Sequence, residues 1–318
     1  FINKMNKLLW TLPLLVATIA IIASEATAYS EITDMSSVSK IACRLQVTAL
    51  TLFFVQISSM IYRRDDCVRL WQQYWVKIVA AGVSLGVSLF IYVIALSLTS
   101  MSHCLLLTST EPLFMLAYNY YKERRANRYE VVAVVVSLIG IALISASSAT
   151  EARATWYGDL ISMSSSALFL IFLVINGEML QDPDQPTLHY FFGVAFFGAL
   201  TNFVFLCLFV PQEVSFFFTW FTTSDWIYVA WLGIGPGAIG HFGASFLLKH
   251  ISTLIVTVFI GLIPPIGSLI GWWCGFQDVP PVLTWIGGFL CILGCTSVTL
   301  AGEEKKPEYT AIPNKELD

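Results

Sequence analysis

Apolar residues run along this chain in long unbroken blocks, and polar residues gather in the short gaps between them. A helix needs about 20 apolar residues to cross the ~30 Å hydrocarbon core of a bilayer. Blocks near that size fall at 8–28, 41–61, 75–98, 101–121, 129–148, 156–178, 188–210, 225–248, 251–274 and 282–302. The period-two alternation of a membrane barrel is absent. In lipid the backbone must satisfy its own hydrogen bonds, so the blocks predict helices. The expected fold is an all-α polytopic membrane protein with ten transmembrane helices.

The pattern also repeats. Ser100 to Pro112 is 12 residues, and so is Ser252 to Pro264. Glu123 to Gly140 is 17 residues, and so is Gln277 to Gly294. A repeat of that size divides the chain into a first five-helix half, 1–150, and a second, 151–302. Five is odd, so the second half starts on the opposite side of the membrane. The result is a pair of inverted repeats, a design found in transporters. The polar remainder, 303–318, reads as a disordered cytosolic tail.

Charge fixes the orientation. Of 17 Lys and Arg, only Lys40, Arg44 and Arg153 fall on one side of a ten-helix arrangement; the other 14 share the side of both termini. Basic loops face the cytosol, so both ends are expected there, in the plasma membrane or an endomembrane. Composition agrees: 57% of residues are hydrophobic and 12% charged, against roughly 25% charged in a soluble domain. Residues 5–28 also have the outline of a signal peptide. The seven cysteines form no Cys-x-x-Cys and read as packing residues.

Leu107-Thr-Ser-Thr-Glu-Pro-Leu-Phe114, followed by Glu123 and then Gly140, resembles the drug/metabolite transporter superfamily, of the EamA-like kind. More distantly it is similar to the nucleotide-sugar transporter group of solute carriers. Arg44 after Asp34-Met-Ser, Gly158-Asp159-Leu160, and Leu248-Lys249-His250 before Ser252 resemble further family positions. The second copy departs from the pattern, with Ile263-Pro264-Pro265 in place of Glu111-Pro112 and Gln277 in place of Glu123. The resemblance implies a ten-helix carrier of small solutes and leaves the solute open. It also implies a helix before Arg44, so residues 5–28 are kept as a first helix.

Five residues stand out as candidate substrate contacts. Glu111 is a carboxylate about eight residues into a span, where burial is expensive and functional use is the default reading. The alternative is that Pro112 frees backbone groups and Glu111 helps satisfy them. Glu25 is expected where the first helix ends or bends. His241 follows the glycine-rich run 233–240, which should bend or thin its helix. Thr108 and Thr257 precede the repeat prolines and either line a cavity or close onto their own backbone. Arg44 is expected to snorkel at the outer interface. With no other cation expected mid-span, the substrate is read as neutral, zwitterionic or cationic rather than as a nucleotide sugar or phosphorylated metabolite, which remains the alternative.

Glycines four apart (Gly82 with Gly86, Gly233 with Gly237, and Gly267, Gly271 and Gly275) predict close helix packing, within one chain or in a homodimer. Tyr309-Thr-Ala-Ile312 fits a tyrosine-based sorting signal. Gly243-Ala-Ser245 faintly resembles the serine motif of intramembrane proteases, but Phe246 stands where glycine is expected. No metal-ligand or phosphate-loop motif is present. The expectation is therefore no enzyme, cofactor, metal or nucleic acid, with the lipid bilayer and a small metabolite as partners. A non-transporting membrane sensor or assembly protein is the competing class.

Overall fold

A computed structural model gives the fold. It describes residues 2–62, 64–99, 104, 107–122, 127–147, 155–180, 182, 185–276 and 278–302. Glu123, Arg124 and Arg125 lie outside them, as do Ser100, Arg153, Gln277 and the tail with Tyr309. Among the described residues the fold is all helix. The helices are α1 (Ile2–Glu31), α2 (Ser37–Tyr62), α3 (Arg64–Leu98), α4 (Glu111–Tyr121), α5 (Arg128–Ser147), α6 (Trp156–Leu180) and α7 (Thr187–Phe209). Then come a short α8 (Val214–Thr219), α9 (Trp226–Leu232), a π-helical segment (Gly233–His241) and α10 (Phe242–Leu247). Last are α11 (Thr253–Ile260), α12 (Ile263–Trp273) and α13 (Val282–Gly302).

Among the described residues, seven helices are long and apolar enough to cross a membrane, or eight if the bent pair α11–α12 is one span. This fits a multi-pass membrane protein. Large apolar side chains on the outer faces, such as Phe54 at 68% exposed and Leu208 at 67%, suit lipid rather than water.

The apolar blocks mark hydrocarbon thickness rather than helix length. So α3 begins at Arg64, well before its apolar block, and α1 runs on to Glu31. Two blocks are interrupted. At 225–248 four glycines surround Pro236. Proline lacks the N–H an α-helix needs, and the helix widens to π geometry there. At 251–274 the chain bends by 42° between Ile260 and Ile263, with Pro264 and Pro265 opening α12. Pro112 opens α4 after a similar turn at Ser109 and Thr110.

The packing falls into recurring crossings. α3 lies against α6 and α7, the π segment lies against α1 and α2, and α5 lies against α13. Lipid supplies little hydrophobic force between helices, so close backbone approach must supply the attraction. Glycine permits it. A Cβ on Gly82 would lie 2.6 Å from Phe197 Cβ, and one on Gly86 2.9 Å from the Gly198 carbonyl. Cβ atoms on Gly233 and Gly237 would overlap Val47 and Thr48. At the α5–α13 crossing a Cβ on Gly140 would sit 2.5 Å from the Gly287 carbonyl. These glycines are thus used within the chain. Hydroxyls add to the same crossings: Ser165 donates to the Ser88 carbonyl at 2.8 Å, Ser84 to Leu168 at 2.7 Å and Thr48 to Gly233 at 2.9 Å.

Candidate functional site

α1 and α2 form a hairpin. Glu25 lies six residues before the end of α1 at Glu31, and Arg44 seven residues after the start of α2 at Ser37. At 1.5 Å per residue both sit roughly 10 Å below the turn, so they face one another. Arg44 Nη1 donates to Glu25 Oε1. Arg44 Nη2 meets His241 Nε2 at 3.0 Å, at the end of the π segment. A guanidinium can only donate, so Nε2 is the bare acceptor of a neutral imidazole with its proton on Nδ1. Arg44 also lies 6.0 Å from the centre of the Tyr29 ring. Its Nε has no hydrogen-bond partner among the described residues.

This corrects the expectation for Arg44. The side chain is 1% exposed, against 18% for Glu25. It does not snorkel, because the carboxylate and imidazole hold it inward. The expectation that no cation faces the interior beyond the helix ends fails with it. Glu25 is not at a helix end either, since α1 continues past it.

A cavity of about 40 Å³ opens beside His241, room for roughly three waters. Its walls come from α1 (Ile22), α6 (Phe169 and Phe172), α10 (Ser245) and α12 (Ile263). Phe169 stands edge-on to His241, with ring centres 6.3 Å apart. Behind Ser245 runs a buried polar chain. Asn176 Nδ2 donates to Ser245 Oγ at 3.1 Å, and the Tyr190 hydroxyl donates to Asn176 Oδ1 at 2.7 Å. Ser245 thus accepts from behind and keeps its own proton for the cavity. The site pairs a compensated charge cluster with aromatic walls and one hydroxyl.

Of the five candidates, Glu25 and His241 are brought together by Arg44. The other three are elsewhere. Glu111 is 5% exposed in the first turn of α4, and its Oε2 has no hydrogen-bond partner among the described residues. It does not line the cavity. Thr257 is fully buried and donates to the Leu254 carbonyl at 2.8 Å, while its neighbours Val256 and Ile260 line the cavity instead. Thr108 donates to the Cys104 carbonyl at 2.8 Å. Arg44, Ser245 and Asn176 are the residues that sequence reasoning missed. The signal for Arg44 was available, in opposite charges at equal depth on two consecutive spans.

Above the cluster, the 32–36 turn is tied to the 210–225 connection. Asp225 Oδ2 accepts from the Thr33 amide at 2.8 Å, and Glu213 Oε2 accepts from the Ser36 amide at 2.9 Å and the Ser39 hydroxyl at 2.5 Å. Ser224 donates to Asp34 at 2.8 Å. The Thr33 amide, with help from Ser224 and Asp34, holds the Asp225 carboxyl below its usual range. Partial burial works to raise that of Glu213, but the Ser39 and Ser36 hydrogen bonds outweigh it and leave the value lowered.

No family model matches the chain, and no curated protein matches it. Among solved structures, a crystal structure of another protein is similar with a TM-score of 0.75, over 92% of this chain and 98% of that one, at 18% identity. At that identity the likeness is one of fold.

Proposed function

We propose that the protein is a transmembrane carrier of a small organic metabolite, working by alternating access. In this reading it has ten spans in two inverted five-helix halves, 1–150 and 151–302, on the EamA-like plan, with both termini cytosolic. One observation carries the reading: the helix crossings trade partners. Gly82 and Gly86 of α3 meet Val194, Phe197 and Gly198 of α7. Gly233 and Gly237 of the π segment meet Arg44, Val47 and Thr48 of α2. The glycine pairs are offset by 151 and their partners by 150. The α5–α13 crossing behaves alike: Gly140 meets Gly287 and Cys291, while Gly294 meets Ala133 and Ser137. Here every offset is 154.

Reciprocal pairing of that kind is what inverted repeats produce. Two halves so related have two near-equivalent ways to lean on each other, each exposing a central site to one side. The cavity at Ile22, Phe169 and His241 suits such a site, since α1 supplies one wall and the second half the rest. The tied loops above it would form the outer gate.

The test is uptake of a mixed metabolite panel into proteoliposomes, read by mass spectrometry, with and without a proton gradient. The expected result is saturable uptake of a subset of the panel, lost in Arg44→Gln. Folded wild-type protein that moves nothing faster than empty liposomes would count against the reading and favour a sensor or assembly role.

A further inference from the structure

The geometry points to Glu25 as an internal stand-in for a substrate carboxylate: Arg44 binds a monocarboxylate with an apolar body, which displaces Glu25 as Glu25 takes up a proton. The inference rests on the carrier reading above and names its substrate class and coupling.

Four observations lead there. A guanidinium takes a carboxylate best through two adjacent N–H groups. In this structure Arg44 offers Nη1 to one Glu25 oxygen and Nη2 to His241, while Nε has no partner among the described residues. Its carboxylate-binding edge is only half used. The burial is also unequal, at 1% for Arg44 and 18% for Glu25. The carboxylate is therefore the partner placed to leave, and the cation is the fixed one. Once Glu25 is neutral, Arg44 is a buried charge without a counterion, which is strongly unfavourable until another anion arrives. The loop carboxylates Glu213 and Asp225 are engaged by backbone amides, and Asp34 by the Ser224 hydroxyl.

Charge and shape then restrict the anion. His241, accepting from Arg44, is neutral, so the cluster of Glu25, Arg44 and His241 carries one positive charge once Glu25 is protonated. A single carboxylate balances it, whereas a doubly charged phosphate overshoots. The adjacent walls are Ile22, Phe169, Phe172 and Ile263, with Ser245 as the one hydroxyl, so the rest of the ligand is apolar. The cavity meets the cluster at His241, and neither Glu25 nor Arg44 lines it, so at about 40 Å³ it must open toward Arg44 on binding, in the space that Glu25 leaves. The titratable groups that act on Glu25 are Arg44 from α2, Tyr29 from α1 and Tyr92 from α3, with His241 of the π segment on Arg44, Cys43 beside Tyr29 and Cys104 beside Tyr92. Of these side chains only Glu25 and His241 have ordinary pKa values below about 7, so two substitutions separate them.

The experiment is calorimetric binding of 4-phenylbutyrate to the purified full chain in nanodiscs, between about pH 5.5 and pH 8. Folding of each variant is checked by size exclusion and thermal unfolding. Co-binding of one proton raises wild-type affinity about tenfold for each pH unit lowered while Glu25 is ionised. Glu25→Gln should bind at pH 8 about as tightly as wild type does at pH 5.5, with no slope. His241→Gln should keep the slope, and folded Arg44→Gln should not bind. The proposal is overturned by no wild-type binding, by binding without a slope, or by Glu25→Gln losing binding as Arg44→Gln does. Binding of 4-phenylbutylamine that Glu25→Gln abolishes would overturn it too, making Glu25 a cation ligand. Since binding is read without flux, pH-linked binding with no metabolite uptake would end the carrier reading alone. Metabolite uptake with no 4-phenylbutyrate binding would end this inference alone.

Discussion

The crossing of α3 with α7 and the crossing of the π segment with α2 are built alike and filled differently. Each rests on two glycines four apart, and each brings a helix backbone within touching distance of its neighbour. Applying the same offsets, His241 corresponds to Phe90 and Arg44 to Val194. Phe90 is buried, with ring centres 4.3 Å from Phe205 and 5.2 Å from Phe209, and Val194 is fully buried. One crossing thus fills these two positions with an aromatic and an aliphatic side chain and carries no charge, its buried Asn202 donating to the Gly86 carbonyl, while the other holds an ion pair and an imidazole beside a cavity. Shared backbone geometry with unshared chemistry separates what holds the bundle together from what the bundle is for.

The comparison breaks first at Arg44. Arg44→Gln leaves Glu25 buried without its cation and should cost about 3–5 kcal/mol, read by thermal unfolding in detergent. Glu25→Leu/Arg44→Val/His241→Phe, which copies the apolar crossing, should recover most of that stability and still carry no solute. If the triple variant is as unstable as the single one, the cluster is structural and the comparison misleads.

The glycines come next. Gly237→Leu and Gly86→Leu should each cost about 3 kcal/mol, because neither crossing can admit a side chain. Matched losses in chemical unfolding sharpen the equivalence; a harmless change at one of them breaks it. A smaller effect is expected at Glu111, which the 152-residue offset pairs with Ile263. Glu111→Met removes a buried carboxyl with one unpartnered oxygen and should stabilise the fold by about 1 kcal/mol. A clear loss in the same melting assay would restore a structural or binding role for the carboxylate.

The smallest effect belongs to the loop ties. Asp225 and Glu213 both titrate below their ordinary range in the folded protein. A lowered value means the stabilisation is complete above the unfolded-state pKa and fades as pH falls through the folded one. Protection of the amides at 33–39, relative to their intrinsic exchange rates, should therefore fall in acid and stay flat around neutrality. Glu213→Gln should show low protection already at neutral pH, and a wild type whose protection is insensitive to acid would remove the carboxylates from the gate.

Much of the fold could be read from sequence because hydrocarbon thickness sets the length of an apolar block. Helix ends could not, since polar turns such as those opening α3 at Arg64 continue the helix outside lipid. The glycine-rich run before His241 announced a disturbed helix, but its π form depends on Pro236 within the packed bundle. Glu25 and His241 each stood out alone. Their link through Arg44 is a tertiary fact, and a lone arginine near a helix end reads as snorkelling until the hairpin depth is compared. Asn176 and Tyr190 are single polar groups inside apolar blocks, and only packing shows that they hand a hydrogen bond to Ser245.

The decisive measurement is sidedness at the cavity. Ala244, beside His241 and Ser245, is changed to cysteine with the native cysteines replaced, and a membrane-impermeant maleimide is offered from each face. Alternating access predicts modification from both faces. After a disulfide between Asp34→Cys and Ser224→Cys closes the outer gate, it predicts modification from the cytosolic face alone. Labelling from the outer face through the closed gate, or from neither face in the unlocked protein, would contradict it.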